Sequence, residues 1–398
     1  MIRRALEVSP VVVVLGARQT GKSTLVRWMP ELGGRPYLTL DDLSIRAQAE
    51  ADPEVLLERA PELVLDEVQR ARDLLIAVKR AVDQDRPRRP GRFVLTGSAN
   101  LLMIRRLGET LAGRAVYVRL WPFTQGELRG EGRTGRWGEL LATPFSGWRD
   151  VITACDRVPV SWREAVLRGG FPVPALALAD GEQRDVWFSG YEQTYVERDL
   201  PTLRAVENLA DFRRLMQAAC LRIGNLLNQT ELGRDVGLSQ PQVHRFLNVL
   251  EASYLALRLP AYAVNRTRRL IKAPKLYWCD PALALHLAGE AEPRGAHLEN
   301  LVVLDLLAWR DTRSARAEIL YWRTASGHEV DFVVETPDRL LPVEVKASRK
   351  AMPRDARNLE VFLEEYRDLA GGGLLLYSGN EVFPLTHRVL AAPWWMVL

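Results

Sequence analysis

The stretch VVVVLGARQTGKST, Val11 to Thr24, limits the fold of this chain more than any other. Four valines and a leucine run up to Gly16, and Gly21, Lys22 and Ser23 follow after four intervening residues. A β-branched run of this kind reads as a strand buried on both faces, as in a parallel sheet. The spacing Gly-x-x-x-x-Gly-Lys-Ser then asks for a loop whose backbone N–H groups turn inward, with a helix starting directly after it. Such a loop cradles phosphate. Its expected contacts are Gly16, Ala17, Arg18, Gln19, Thr20, Gly21, Lys22, Ser23 and Thr24; the Lys22 ammonium reaches the β and γ phosphates and the Ser23 hydroxyl faces Mg2+.

Apolar runs at Val11–Leu15, Tyr37–Leu40, Leu63–Leu65, Phe93–Thr96 and Val116–Leu120 alternate with amphipathic stretches, the pattern of a parallel sheet covered by helices. LVLDEVQ puts Asp66 and Glu67 at the end of the third run, where ligands of parallel sheets bind. Asp66 is expected to hold Mg2+ through water, and Glu67 to orient and polarise an attacking water. In FVLTGSAN, Ser98 or Asn100 is placed either to sense the γ-phosphate or to cap the next helix. Arg114, in LAGR, is a candidate arginine finger for a neighbouring subunit, in competition with Arg105 and Arg106.

From Trp121 to about Val206 the text is helical and irregular, with no clear strand. In TELGRDVGLSQPQVHRFLNVLE, Gly233 supplies the small residue at a helix crossing, Gly237 the permissive turn and Val243 the apolar anchor of a helix-turn-helix. Its second helix would expose Gln240, Gln242, His244 and Arg245. NRTRRLIKAPK follows where a wing would lie, and Arg266, Arg268, Arg269, Lys272 and Lys275 there can neutralise DNA phosphates. The whole chain carries 54 basic against 50 acidic residues, so this local cluster, and not the net charge of +4, bears the nucleic-acid argument. Winged helices also dock on proteins.

From Ala296 a long helix precedes strands at Ile319–Arg323, Glu329–Glu335 and Leu341–Lys346. Alternation places Glu344 and Lys346 on one strand face, and Glu329 and Asp331 on one face of the strand before it. Asp331 and Glu344 can hold Mg2+ against a scissile phosphate while Lys346 positions or activates water, and Glu299, in HLENLVVLDLL, can complete the metal site. The plain alternative is a strand pair carrying ion pairs.

In this order, GARQTGKST, LVLDEVQ, VLTGSAN, LAGR, YEQTYVERDL, KAPKLYWCD, HLEN, GHEVDFVVE and PVEVKAS resemble the signatures of a family of prokaryotic AAA+ ATPases whose second half was long catalogued as a domain of unknown function. The resemblance spans nearly the whole chain. It implies an α/β protein: a P-loop AAA+ core over residues 1–125, a helical lid or linker over 126–205, a winged helix-turn-helix over 206–290 and a restriction-endonuclease-like PD-(D/E)xK domain over 291–398. It implies ATP and Mg2+ as cofactors, Asp66 and Glu67 as the Walker B pair, and Asp331, Glu344 and Lys346 as a nuclease-type triad. AAA+ modules commonly form rings, so a homo-oligomer is expected, with a hexamer as one form.

The expected activity is ATP hydrolysis that remodels or translocates DNA, duplex or branched, Holliday junctions included. Two other readings are an ATP-dependent, metal-requiring endonuclease and a nucleotide-controlled switch that binds a protein. Cys155, Cys220 and Cys279 are odd in number and lack metal-ligand spacing, which fits a reducing cytoplasm. The opening MIRRALEVSPVVVVLG reads as a buried strand and not an export signal, and no apolar run nears the roughly 18 residues that span a bilayer.

Overall fold

A computed structural model describes residues 1–71, 73–85, 87–97, 110–154, 157–200, 206 and 208–398. Its contacts divide the chain into two compact units: Met1–Trp121 with Asn248–Leu255, and Pro122–Leu200 with Val206–Leu247 and Ala256–Leu398.

In the first unit the β-branched run becomes β1 (Val11–Leu15), flanked by β2 (Tyr37–Thr39), β3 (Leu63–Asp66), β4 (Phe93–Thr96) and β5 (Ala115–Arg119). The strands pair in parallel in the order β2-β3-β4-β1-β5. β1 lies between β4 and β5 and is wholly buried. Val12 and Val14 pack with Val64, Val94, Ile2 and Val26, so apolar side chains line the strand where a sheet covered by helices needs them. The helix Leu74–Gln84 buries Leu74, Leu75, Ala77, Val78 and Val82, a stripe set by helical periodicity. Register places Val14 beside Thr96 and Leu65 beside Leu95. The carboxyl ends of β1, β4 and β3 therefore open on one edge, with β4 between the other two.

In the second unit, residues expected to be helical form short helices, from Gln125–Leu128 to Gly181–Thr194. The helix Gln229–Val236 starts on an Asn228 cap and stops where Gly237 turns left-handed at φ 70°. A Cβ on Gly233 would stand 2.7 Å from the Leu238 carbonyl oxygen and 3.1 Å from Val243 Cγ2, so only glycine fits where this helix meets the start of Gln240–Ala252. β6 (Ala256–Leu259) and β7 (Lys275–Trp278) pair antiparallel. Between them the expected wing is a short helix, Arg266–Ile271, capped by Asn265.

The rest of this unit is a six-stranded mixed sheet. β8 (Glu318–Arg323), β9 (Glu329–Glu335) and β10 (Leu340–Lys346) run antiparallel, while β10, β11 (Gly373–Tyr377) and β13 (Val389–Pro393) run parallel; β12 (Phe383–Pro384) closes the edge. Leu359, Phe362 and Leu363 of the helix Arg357–Glu365 pack on Val330, Val333 and Leu375. Asp331 and Glu344 are themselves buried, so alternation does not turn them to solvent.

Gly233→Ala should lower stability by about 2 kcal/mol, because the added methyl meets a backbone oxygen that cannot move aside cheaply. Urea unfolding followed by circular dichroism measures this against Gly237→Ala, expected to lose about 1 kcal/mol from backbone strain alone.

Candidate functional site

At the end of β1, a Cβ on Gly16 would collide with the Leu120 carbonyl oxygen. The loop then closes on itself: the Thr20 hydroxyl donates to Ala17 O at 2.9 Å, and Gly21, left-handed at φ 89°, launches the helix Lys22–Trp28. No side chain caps this helix, so its first N–H groups stay open to an anion. Buried Lys22 folds over the loop, its Nζ 2.7 Å from Ala17 O and 3.2 Å from Gly16 O. Ser23 and Arg18 are half-buried; Gln19 and Thr24 are exposed.

On the same edge Asp66 is buried, accepting from the Tyr37 hydroxyl at 2.5 Å and from the Thr96 hydroxyl. Burial and then the Asp66 carboxylate hold the Tyr37 proton well beyond its usual range. Glu67 is left-handed at φ 57°, an uncommon and costly conformation for a side-chain-bearing residue. Burial raises the pKa of its carboxyl, the Gln69 amide hydrogen bond opposes this, and the charges of Asp66 and Lys22 pull in opposite directions. Cradle and carboxylates thus share one electrostatic neighbourhood. Tyr37 and Thr96 carry no motif spacing; the one signal in the sequence is a hydroxyl on the first residue of one apolar run and on the last of another.

Arg114, the candidate finger, is paired within its own unit. Its Nε and Nη2 lie 2.7 and 2.8 Å from the two oxygens of Asp83 within its own unit, a two-pronged pair that holds the guanidinium in place. Ser98, Asn100, Arg105 and Arg106 lie outside the described residues.

On the helix Gln240–Ala252, Gln240 and His244 are exposed, whereas Gln242 caps the helix by accepting from Ser239 N at 3.0 Å. Arg245 is half-buried, its guanidinium 5.5 Å from the Phe246 ring centre. Arg266, Arg268 and Lys272 are exposed. Arg269 is corrected: it is buried, bonded to both Glu335 oxygens at 2.5 and 2.8 Å and to Glu318 at 3.0 Å, so its donors are spent on carboxylates and not offered to phosphate.

Lys275 is corrected as well. It is 2% exposed, with Nζ 2.6 Å from Glu329 and 3.2 Å from Asp331. The other Asp331 oxygen accepts from Val345 N at 2.9 Å, Lys346 reaches Glu344 at 2.6 Å, and the Tyr277 hydroxyl donates to Glu299 at 3.0 Å. The structure therefore gathers Glu299, Asp331, Glu344 and Lys346 and adds Lys275, Tyr277 and Glu329. Burial and then the Asp331 charge push the Glu299 and Glu344 carboxyls up to about 8, against Lys275 at Glu299 and Lys346 at Glu344.

A nuclease-type metal does not fit this arrangement. Among the described residues no three His, Cys, Asp or Glu side chains are grouped to hold a metal ion. The expected set of Glu299, Asp331 and Glu344 already has an ammonium, a backbone N–H, a second ammonium and a phenol as partners. Lys275 and Lys346 are the cations of this cluster. One buried oxygen, Glu344 Oε2, has no hydrogen-bond partner, and no sequence motif marked Lys275 for its role.

Residues 8–129 match the AAA domain, 160–294 a domain of unknown function (DUF8612) and 294–397 another (DUF4143). Uncharacterized proteins of Mycobacterium tuberculosis and Mycobacterium bovis are each 32% identical over 404 residues, covering 98% of this chain and 82% of the relative. A Walker-type ATPase of Pyrococcus abyssi is similar at 19% identity, covering 72% of this chain and 93% of that one, with a TM-score of 0.44. Among the described residues no helix is long and apolar enough to cross a membrane.

Two outcomes follow for the carboxylate cluster. Folded Glu299 and Glu344 keep protons that the unfolded chain releases in the ordinary carboxylate range, so stability should fall as pH rises from there to about 8. Urea midpoints across that window should show this slope, reduced by Glu299→Gln. Lys275→Met leaves buried carboxylates uncompensated and should cost about 3 kcal/mol at the alkaline end, less at the acid end. The variant, unlike the parent, should also be stabilised by Mn2+ in thermal unfolding.

Proposed function

The chain belongs to a prokaryotic family of AAA-type ATPases that carries two further domains of unknown function, and on that premise we propose that its ATP hydrolysis drives work on DNA, duplex or branched. The observation that carries the ATPase half is the uncapped helix start beside the buried Lys22 ammonium, facing Asp66 and Glu67 across one sheet edge. Bound Mg2+-ATP would supply the anhydride bond and a cation to offset its charge. The N–H groups after Gly21 and the Lys22 ammonium would hold the phosphates. Ser23 would face Mg2+, and Asp66 would do so through water, because its oxygens already accept from Tyr37 and Thr96. Glu67, aimed by its left-handed backbone, would orient the attacking water and take its proton.

Support for the DNA half is the exposed Gln240 and His244 on the second helix of the helix-turn-helix, with Arg266, Arg268 and Lys272 exposed on the segment between β6 and β7. We read this region as a winged helix whose wing is partly helical. With Arg269 and Lys275 used internally, fewer phosphates are met there than five cations would allow. We read the mixed sheet bearing Asp331, Glu344 and Lys346 as nuclease-like, and Lys275 in its midst favours holding DNA over cutting it. The proposal includes assembly of several copies, with Arg114 a candidate finger that would have to leave Asp83 to reach a neighbour.

Lys22→Ala should reduce ATP turnover by about 100-fold or more, and Glu67→Gln should slow it while leaving ATP binding intact. Linear and four-way DNA should raise parental turnover and remain full length on a denaturing gel. Turnover indifferent to DNA, with no DNA binding, would point to the protein-binding switch instead.

A further inference from the structure

A cleft of about 740 Å3 lies where β10 and β11 end beside the helix Trp162–Arg168. The two strands are parallel, so their carboxyl ends share an edge, the position at which α/β sheets bind ligands. Arg163, Arg349 and Lys350 line it, against a single acid, Glu381. All three cations are exposed, and none pairs with a carboxylate among the described residues. That sets them apart from Arg157, Arg269 and Arg388 of the same unit, which are paired with Glu131, Glu335 and Glu360.

Like charges left unpaired around a concavity repel one another and focus a positive potential into it. The rim is also fixed in place. The Arg163 guanidinium stacks 4.6 Å from the Trp162 ring centre, and Ser378 ties the two strand ends together, its hydroxyl 2.7 Å from Ala347 O and its N–H 3.0 Å from Ser348 O. Half-buried Phe383 adds an aromatic wall, braced edge-on against Tyr377 at 6.0 Å. Cations interleaved with an aromatic surface are what a single nucleic-acid strand needs: charge for its phosphates and a face for a base. Its volume of about 740 Å3 suits a short stretch of one strand better than a duplex.

We propose that this cleft seats a single DNA strand by its phosphodiester backbone, which makes it a second DNA contact apart from the helix-turn-helix. The inference rests on the DNA reading above and names a strand-separated substrate for it. Lys346 immediately precedes the lining residue Ala347, so the seated strand would pass beside the carboxylate cluster.

The test is fluorescence anisotropy of labelled oligothymidylate, and separately of a duplex, titrated with the full chain over a range of KCl. The comparison is with an Arg163→Gln, Arg349→Gln, Lys350→Gln variant. Each phosphate contact to a single strand contributes about 0.7 to the log–log salt slope, so the variant should lose about 2 from its slope and bind oligothymidylate about tenfold more weakly at low salt. Duplex binding and DNA-free ATP turnover should be unchanged, and turnover also reports that the variant is folded. Arg163→Lys with Arg349→Lys should keep the parental slope. An unchanged slope in the glutamine variant, or parental binding to duplex alone, overturns the cleft and leaves the DNA reading standing. Failure of the parent to bind either DNA overturns both.

Discussion

The Leu120 carbonyl oxygen stands so close to the end of β1 that no side chain fits at Gly16, and the chain must leave the sheet there as bare backbone. From that approach the phosphate loop follows: Thr20 closes it, Gly21 turns it and Lys22 folds over it. Its chemistry depends on β3 and β4 ending at the same edge. Register does this, because parallel pairing puts Thr96 beside both Val14 and the Asp66 carboxylate. A one-residue slip of β4 would turn the Thr96 hydroxyl to the other face and leave a buried carboxylate short of a donor. Nucleotide chemistry thus rests on strand alignment as much as on the loop.

The second unit manages charge differently. It buries ammonium and guanidinium groups against carboxylates from distant strands, as with Lys275 on Glu329 and Asp331 and Arg269 on Glu318 and Glu335. Pairs of this kind add little net stability but are costly to break on one side. They fix the β6–β7 segment to the terminal sheet with defined geometry. The exposed cations around the β10–β11 cleft have no such partners among the described residues, and that contrast separates structural charge from charge open to a ligand.

Much of the first unit was legible because its determinants are local. Apolar runs located β1 to β5 within a residue, and the loop and the Asp-Glu pair are contiguous. Gly233, Gly237 and Val243 act over ten residues of chain, so the two helices and the tight turn between them could be read as well. Failures came with sequence separation. Lys275 meets Asp331 across 56 residues and Arg269 meets Glu335 across 66, and a basic segment with unknown partners reads as solvated. Alternation grouped Asp331 with Glu329 and Glu344 with Lys346 but could not show that Asp331 and Glu344 are buried, because β9 and β10 are covered on both faces, where period two no longer sorts inside from outside. Tyr37 and Thr96 could not be read because a hydroxyl at a strand end gains its meaning only from the neighbouring strand.

On the proposed function, the state of the nucleotide and the grip on DNA are energetically linked. Linkage makes this measurable at equilibrium: the dissociation constant for one DNA, determined once with ADP and once with a non-hydrolysable ATP analogue, at fixed salt. Such coupling makes the constants differ by about fivefold or more between the two nucleotides. Identical constants would contradict it.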